Sequence, residues 1–387
     1  MWFDLPIQVQ DVTFKPLLET RYRFERRLDR DFDGDKADNR NESFLRLRPG
    51  FTFETKSGLS GRVVFQFLDN RVSLDNGAAG TSSNPKDLVE AFVTSATPVG
   101  KVTLGRQRFG IGNQRLIGAL DWANSGRSWD AIRLQRGSVD AFVGRLTVNP
   151  VMNQEVTLGA VAYTGQHGNT SLIYKADKRP DPAATNWTLA HQWSKAQGKN
   201  QWAAHAALQR GSVSGKRLEA HALGVSVTMP ADAQTTLSFE ANLASGGSAA
   251  NATARTFDQL YPTGHLFYGA MDLQGLRNMV QLGASATRKV GADTTIKLEL
   301  HKFWLADAKD GWYGAGGGQN GAFRDATGKS GKDVGWEADL TGTKALGKDR
   351  TLGAGIGVFV PGSFVRSLAV GRDKTQVWGY VMVSSKF

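Results

Sequence analysis

The chain has 387 residues, no cysteine, and 47 Lys and Arg against 36 Asp and Glu, for a formal net charge of +11. Without cysteine there are no disulfides and no thiolate metal ligands; with no apolar run near the ~18 residues a membrane helix needs, a helical membrane protein is excluded. A basic balance points to nucleic acid, anionic membranes or anionic solutes, but the basic residues form no block and no basic helix. They recur singly within strands, which argues against nucleic acid as a partner.

In chain order, Met1 to Pro6 shows no basic region, apolar core or cleavage site, so an exported chain of this kind would have lost its signal peptide before this point. The absence of cysteine also suits a bacterial envelope protein that crosses the periplasm unfolded. The first strand, 13–28, alternates cleanly. Leu18, Thr20, Tyr22, Phe24 and Leu28 share one parity, and Glu19, Arg21, Arg23, Glu25 and Arg27 the other. Period-two patterning continues over 42–55, 59–69, 87–96, 101–108, 129–136, 138–148, 155–164, 170–176, 185–194, 201–210, 217–229, 234–245, 278–287, 294–305, 334–343, 351–360 and 375–387.

Every second connection is short: 56–58, 97–100, Gly137, 165–169, 195–200, 230–233, 288–293 and 344–350. The alternate connections 29–41, 70–86, 109–128, 246–277, 306–333 and 361–374 are longer, with 149–154, 177–184 and 211–216 as short exceptions. Alternation of tight turn and long loop is the pattern of an all-β, transmembrane antiparallel β-barrel of about eighteen strands, with short periplasmic turns and long extracellular loops. No domain linker appears, so 1–387 reads as one domain, with both termini on the turn side. Loops 70–86, 109–128, 246–277 and 306–333 are expected to fold over or into the mouth. The last strand runs Val377, Val381, Val383 and Phe387 along one face and ends on an aromatic residue, as a strand that closes a cylinder does. Trp187, Leu189 and Trp193 on one parity, with Trp202, Trp304, Trp336 and Tyr22 near other strand ends, suit interface girdles. The expected location is the bacterial outer membrane, with the lipid bilayer and lipopolysaccharide as partners.

In such a barrel the apolar parity meets lipid and the charged parity faces enclosed water. The inward set then begins with Glu19, Arg21, Arg23 and Glu25, followed by Arg46, Arg48, Arg62 and Glu90, and the carboxy-terminal wall carries Glu337 and Asp339. Arginine stays charged and meets carboxylates bidentately, and a ring of Arg and Lys is the device of an anion-selective pore. The parity rule breaks at Arg106, which sides with Val102 and Leu104, at Arg145, which sides with Val143, and around His221 to Val225; a β-bulge is the expected cause at each.

Signals for chemistry are weak. No nucleophile elbow, zinc helix or phosphate loop occurs, and the six histidines lack metal-ligand spacing. No catalytic residue, cofactor or metal site is assigned. Glu337 and Asp339 lie about 7 Å apart on one face, as same-face neighbours on any strand do. The alternatives to a channel are a barrel-embedded enzyme and a soluble carbohydrate-binding β-protein.

Two stretches go further. One is Leu104-Gly105-Arg106-Gln107-Arg108-Phe109-Gly110 with Gln114 to Gly118, Asp121-Trp122 and Ser128 to Arg133. The other is Phe257 to Gly269 with Met271-Asp272 and Leu276 to Asn278. In order and spacing both resemble the alginate-export family of outer-membrane barrels. The resemblance implies a monomeric barrel with an electropositive, arginine-lined lumen, which in the family's alginate exporter passes a polyanionic uronate polymer. It adds Arg106, Arg108, Arg115 and Arg133 as pore-lining residues, with Asp130 as a partner. An anionic saccharide or another anionic solute is the expected cargo.

Overall fold

Leu18 donates its N–H to the Phe387 carbonyl at 3.0 Å and accepts from the Phe387 N–H at 2.9 Å, joining the first strand to the end of the last. The computed structural model describes residues 6–35, 38–147, 155–368 and 372–387. Its eighteen long strands form one closed antiparallel barrel. In order they are β1 (Val12–Leu28), β2 (Arg40–Thr55), β3 (Ser60–Leu74), β4 (Lys86–Thr97), β5 (Gly100–Gln107), β6 (Ser128–Arg136), β7 (Val139–Thr147), β8 (Val156–Gly165) and β9 (Gly168–Asp177). They continue as β10 (Ala184–Gln197), β11 (Asn200–Val213), β12 (Lys216–Pro230), β13 (Thr235–Ala244), β14 (Met279–Val290), β15 (Thr294–Trp304), β16 (Asp333–Ala345), β17 (Arg350–Pro361) and β18 (Gln376–Lys386). Each pairs with its sequence neighbours, and β1 pairs β18 from Glu19↔Lys386 to Leu28↔Val377. Closure leaves the barrel wall without a free edge, the condition for a sheet to cross a bilayer.

Alternation fixes which side is out. Tyr22, Phe24, Phe65, Ile132, Leu189, Leu298 and Val381 are exposed on one side of the wall, while Arg21, Arg23, Arg48, Gln66 and Gln209 are buried on the other. Trp187, Trp202 and Trp336 join the exposed side, where amphipathic rings suit the water boundary of a membrane.

The anticipated bulges are absent. Arg106 stands opposite Asp130, and Asp130 opposite Arg145, in uninterrupted registers. The β11–β12 pairing runs unbroken through His221 to Val225, and the β12–β13 pairing is unbroken from Ala222 on. The inner side there is apolar at Leu218, Ala220 and Ala222 because these residues belong to a packed interior cluster with Phe257 and Leu260 rather than facing water. Register shifts occur elsewhere, between Val64 and Phe65 and between Phe303 and Trp304.

Two loops fill that interior. Loop 108–127 leaves β5, and loop 245–278 joins β13 to β14. They meet through a parallel bridge at Ile117 and Tyr261, where Tyr261 N–H donates to the Leu116 carbonyl at 2.8 Å and Gly118 N–H to the Tyr261 carbonyl at 2.9 Å. Ile117 and Phe257 are fully buried at this junction, and burying such a side chain is worth ~1.5–3 kcal/mol. A second aromatic cluster, Phe32, Trp312, Phe323, Phe359 and Phe364, ties loop 305–332 and the helix α1 (Ser363–Leu368) to the wall. Loop 75–85 differs from expectation: it is exposed, and its Thr81–Ser83 segment pairs back onto β3.

Candidate functional site

Strands β1 to β3 carry their arginines on the inner parity, and loop 108–127 bends toward them. Arg21 donates to the carbonyls of Asp121 (2.7 Å) and Ala123 (3.2 Å) and to Asn124 Oδ1 (3.2 Å). Arg23 donates to the Trp122 carbonyl at 2.6 Å and Arg46 to that of Asp121 at 3.2 Å. Arg48 donates Nε to Gln66 (2.6 Å) and Nη2 to the Ser125 carbonyl (3.3 Å). A guanidinium is a multi-donor fork, and here the forks close on successive peptide oxygens. Gly126 makes the approach possible: its φ is +69°, and an added Cβ would stand 3.0 Å from Arg48 Nη2.

Carboxylates offset part of this charge. Arg23 pairs with Glu25 at 2.7 Å, which also accepts from Trp378 Nε1 at 2.8 Å. Arg62 lies 2.9 Å from Glu90 and 3.4 Å from Glu19. Asp121 pairs with Arg108 and lies 3.7 Å from Arg48, although 65 % of its side chain faces water. Packing alone would raise the Asp121 carboxyl; the guanidinium groups of Arg108, Arg48 and Arg46 outweigh that and hold it below the usual carboxylate range. Trp122 stacks on His265 with ring centroids 3.7 Å apart, the Arg23 guanidinium lies 4.0 Å from the Trp122 ring, and His265 reaches Asp272 at 3.1 Å. Toward the turn end, Lys15, Arg62 and Lys101 line a cavity of about 260 Å³ with Glu54.

Three strands further around the wall from β1, on β16, the polarity is reversed. Glu337 and Asp339 on β16 accept the N–H groups of Met271 and Ala270, each at 3.0 Å. The Met271 carbonyl in turn accepts from Arg27 at 3.2 Å. Gly269, with φ +94°, admits the loop where a Cβ would stand 2.1 Å from Glu337 Oε1. These two acids are anchors for a loop rather than an acid–base pair open to a substrate.

The sequence-predicted residues therefore separate into groups. Arg21, Arg23, Arg46, Arg48, Arg62, Arg108, Glu19, Glu25 and Glu90 gather at one wall. Arg115 lies on loop 108–127, bonds the Tyr268 hydroxyl and stacks 4.1 Å from the Phe267 ring, linking the two loops. Arg133 faces inward, paired with Asp140 through Nε at 2.8 Å. Arg106 and Asp130 bond at 2.6 Å, but they share parity with Leu104 and Ile132, which are 44 % and 57 % exposed. Their alternation puts them on the outward side, so this pair braces neighbouring strands and does not line the pore. Sequence reasoning passed over Arg127, which donates to the carbonyls of Gly118 (2.9 Å) and Pro262 (3.1 Å) and clamps the loop junction. It also passed over Asp310, 1 % exposed, which accepts from Tyr313 (2.7 Å), Arg324 (2.9 Å) and Gly247 N–H (3.0 Å) and so joins loop 305–332 to loop 245–278. Among the described residues, no group of three His, Asp or Glu is placed to hold a metal ion.

The sequence profile described as Alginate export matches residues 17–380. Among curated proteins, none matches the chain by sequence. Three solved structures from Pseudomonas aeruginosa are similar to it in fold. OccK7 (OpdD) has a TM-score of 0.63 at 10% identity, with 97% of this chain and 98% of that chain covered. OccK2 (OpdF), in complex with glucuronate, has a TM-score of 0.63 at 9% identity, covering 97% and 96%. The outer membrane protein OprD has a TM-score of 0.58 at 10% identity, covering 98% and 94%.

Proposed function

The chain belongs to the Alginate export family and is a β-barrel channel of the bacterial outer membrane, and from that premise we propose that it passes anionic solutes, carboxylated saccharides or an alginate-like polyuronate, along an arginine-rich lumen. The observation that carries the reading is the convergence of Arg21, Arg23, Arg46, Arg48 and Arg108 on one inner wall around the water-facing Asp121. Arg21, Arg23 and Arg48 spend donors on loop carbonyls, as Arg46 does with one bond to that of Asp121. Arg46, Arg62 and Arg108 supply positive charge beside the enclosed water, and Lys15 and Lys101 extend it toward the turn end. A charged lining with low-dielectric walls concentrates counter-charged solute, and several weak contacts allow it to move on. The glucuronate held by the similarly folded OccK2 supports a solute of that size and charge.

Because β1 and β18 close the wall within one chain, a single copy makes a complete pore, and the reading takes the channel as a monomer. Arg71, Arg145 and Arg217, exposed on the outward parity near the loop end, are positioned to meet lipopolysaccharide phosphates. No catalytic step belongs to this reading, because Glu337 and Asp339 are taken up by loop amides. The test is current blocking in planar bilayers with a panel of glucose, glucuronate and oligouronates. Glucuronate and the oligouronates are expected to interrupt the current, increasingly with chain length, and glucose is not. Equal blocking by glucose and glucuronate would overturn the proposal.

A further inference from the structure

At the loop end, away from the arginine wall, the barrel holds a half-enclosed cavity of about 480 Å³ between the inner rim of β9 to β12 and the loops 247–258 and 310–324. Its cations are Lys175, Arg179, Lys216, Arg255, Arg277 and Arg324, against the carboxylates of Asp177, Asp258 and Asp310. The carboxylates are already engaged. Asp258 accepts from Lys175 at 2.8 Å and from Leu260 N–H at 2.9 Å, and Asp310 is the buried hub between the two loops. Burial works against the Asp258 carboxylate, but Lys175, Arg277 and the Leu260 amide hold it below the usual carboxylate range.

Of the cations, Lys175, Arg179 and Arg324 pair with these carboxylates and Lys216 with the Asn251 carbonyl, which leaves Arg277 and Arg255 less committed. Arg277 lies with its guanidinium 4.3 Å from the Tyr313 ring and gives one donor to the Gly317 carbonyl at 3.1 Å. Arg255 is exposed. Neutral hydrogen-bonding groups line the same space: Asn186, Ser248, Asn251 and Thr256. This combination of an uncancelled positive excess with amide and hydroxyl groups matches a ligand that is both carboxylated and polyhydroxylated. The volume suits one or two sugar units, at the lower end of ordinary ligand pockets.

The paired loops separate this cavity from a second one, of about 570 Å³, on the turn side. That cavity is lined by Arg115, Asp140, Gln192, Glu240 and Asn242 and has no comparable excess of cations. On this side of the barrel the loop end is therefore the more positive, whereas the turn-end cations Lys15, Arg62 and Lys101 stand beside the arginine wall.

We propose that the loop-end cavity is a binding vestibule for uronate units, built around Arg255 and Arg277, which loads or receives carboxylated saccharide on the extracellular side. The inference rests on the channel reading above and adds a second site and a sidedness to it.

Single channels in planar bilayers test it. The chain has no cysteine, so Lys329→Cys in an exposed loop, blocked by a membrane-impermeant thiol reagent, reports orientation. Glucuronate is added to one side at a time. The expected result is a blocking on-rate from the loop side about ten-fold above that from the turn side, at the lower end of the range of electrostatic steering. In Arg255→Gln/Arg277→Gln that excess falls to near parity while turn-side blocking persists. Arg255→Gln alone, at an exposed position, gives an intermediate loss and guards against misfolding of the double variant. Blocking of the wild-type channel with equal on-rates from both sides, or a loop-side excess that survives both variants, overturns the vestibule and leaves the channel reading intact. No blocking from either side overturns both.

Discussion

The arginine wall and the acidic wall hold the same kind of object in opposite ways. Arg21, Arg23, Arg46 and Arg48 grip peptide oxygens of residues 121–125, whereas Glu337 and Asp339 grip the peptide N–H groups of residues 270–271. Each wall matches its charge to one pole of the backbone, so a lumen that looks like a selectivity lining is also a scaffold for the loops that cross it. The difference lies in what remains afterwards. A guanidinium has five donors, so an arginine can hold a carbonyl and still present charge to a passing anion. Glu337 and Asp339 are each 1 % exposed and present little to solute, and Arg48 is buried as deeply, so the charge the first wall leaves open falls mainly to residues such as Arg62. On the proposed reading, selectivity and loop anchoring thus overlap at the first wall, while the second serves anchoring.

The largest expected effect comes from removing the grip at the arginine wall. Arg21→Ala/Arg23→Ala deletes the bonds to Asp121, Trp122, Ala123 and Asn124. Each charge-assisted bond contributes ~1.5–3 kcal/mol, and each ~1.4 kcal/mol is ten-fold in an equilibrium. Limited proteolysis within 119–127 is expected to accelerate at least about ten-fold, with flickering current; an unchanged cleavage rate would place the loop's anchorage elsewhere.

A smaller effect is expected at the acidic wall. Glu337→Ala/Asp339→Ala frees two amides, and hydrogen exchange at Ala270 and Met271 should speed up about three- to ten-fold, with amides of 121–125 unaffected. Faster exchange at both loops together would mean that the walls do not act independently.

The smallest effect is that of pH. A carboxylate whose folded value is depressed contributes stability that is present above its unfolded value, ~3.9 for Asp, and lost as pH falls through the folded value. With Asp121 held low by Arg108, Arg48 and Arg46, conductance should stay level from neutral pH down to about pH 4 and shift only below it. A transition near pH 6 would point away from Asp121.

The barrel was legible because its signal is local and repeated. One strand, with Tyr22 and Phe24 out and Arg21, Arg23 and Glu25 in, shows the rule, and the spacing of turns and loops repeats it around the cylinder. The interior was much less legible. Arg21 meets Asp121 and Asn124, Arg115 meets Tyr268, and Gln209 meets Asp258, each across a wide sequence separation and through loops whose path no periodicity encodes. Apolar inward residues such as Leu218 and Ala222 looked like broken alternation because the loop that covers them was not visible. Arg106 taught the converse. Its parity with Leu104 already pointed outward, and the resemblance that drew it into the pore was a poorer guide than the alternation.

On the proposed reading, guanidinium groups at the first wall make the channel prefer anions, and the reversal potential across a salt gradient measures that preference. The wild-type channel is expected to show an anion-selective potential, and Arg46→Gln/Arg62→Gln/Arg108→Gln, which gives up the single Arg46 bond to the Asp121 carbonyl but keeps the Arg21, Arg23 and Arg48 anchors, is expected to move it toward zero or to cation preference. A cation-selective wild type, or a triple variant with the same potential as the wild type, would contradict it.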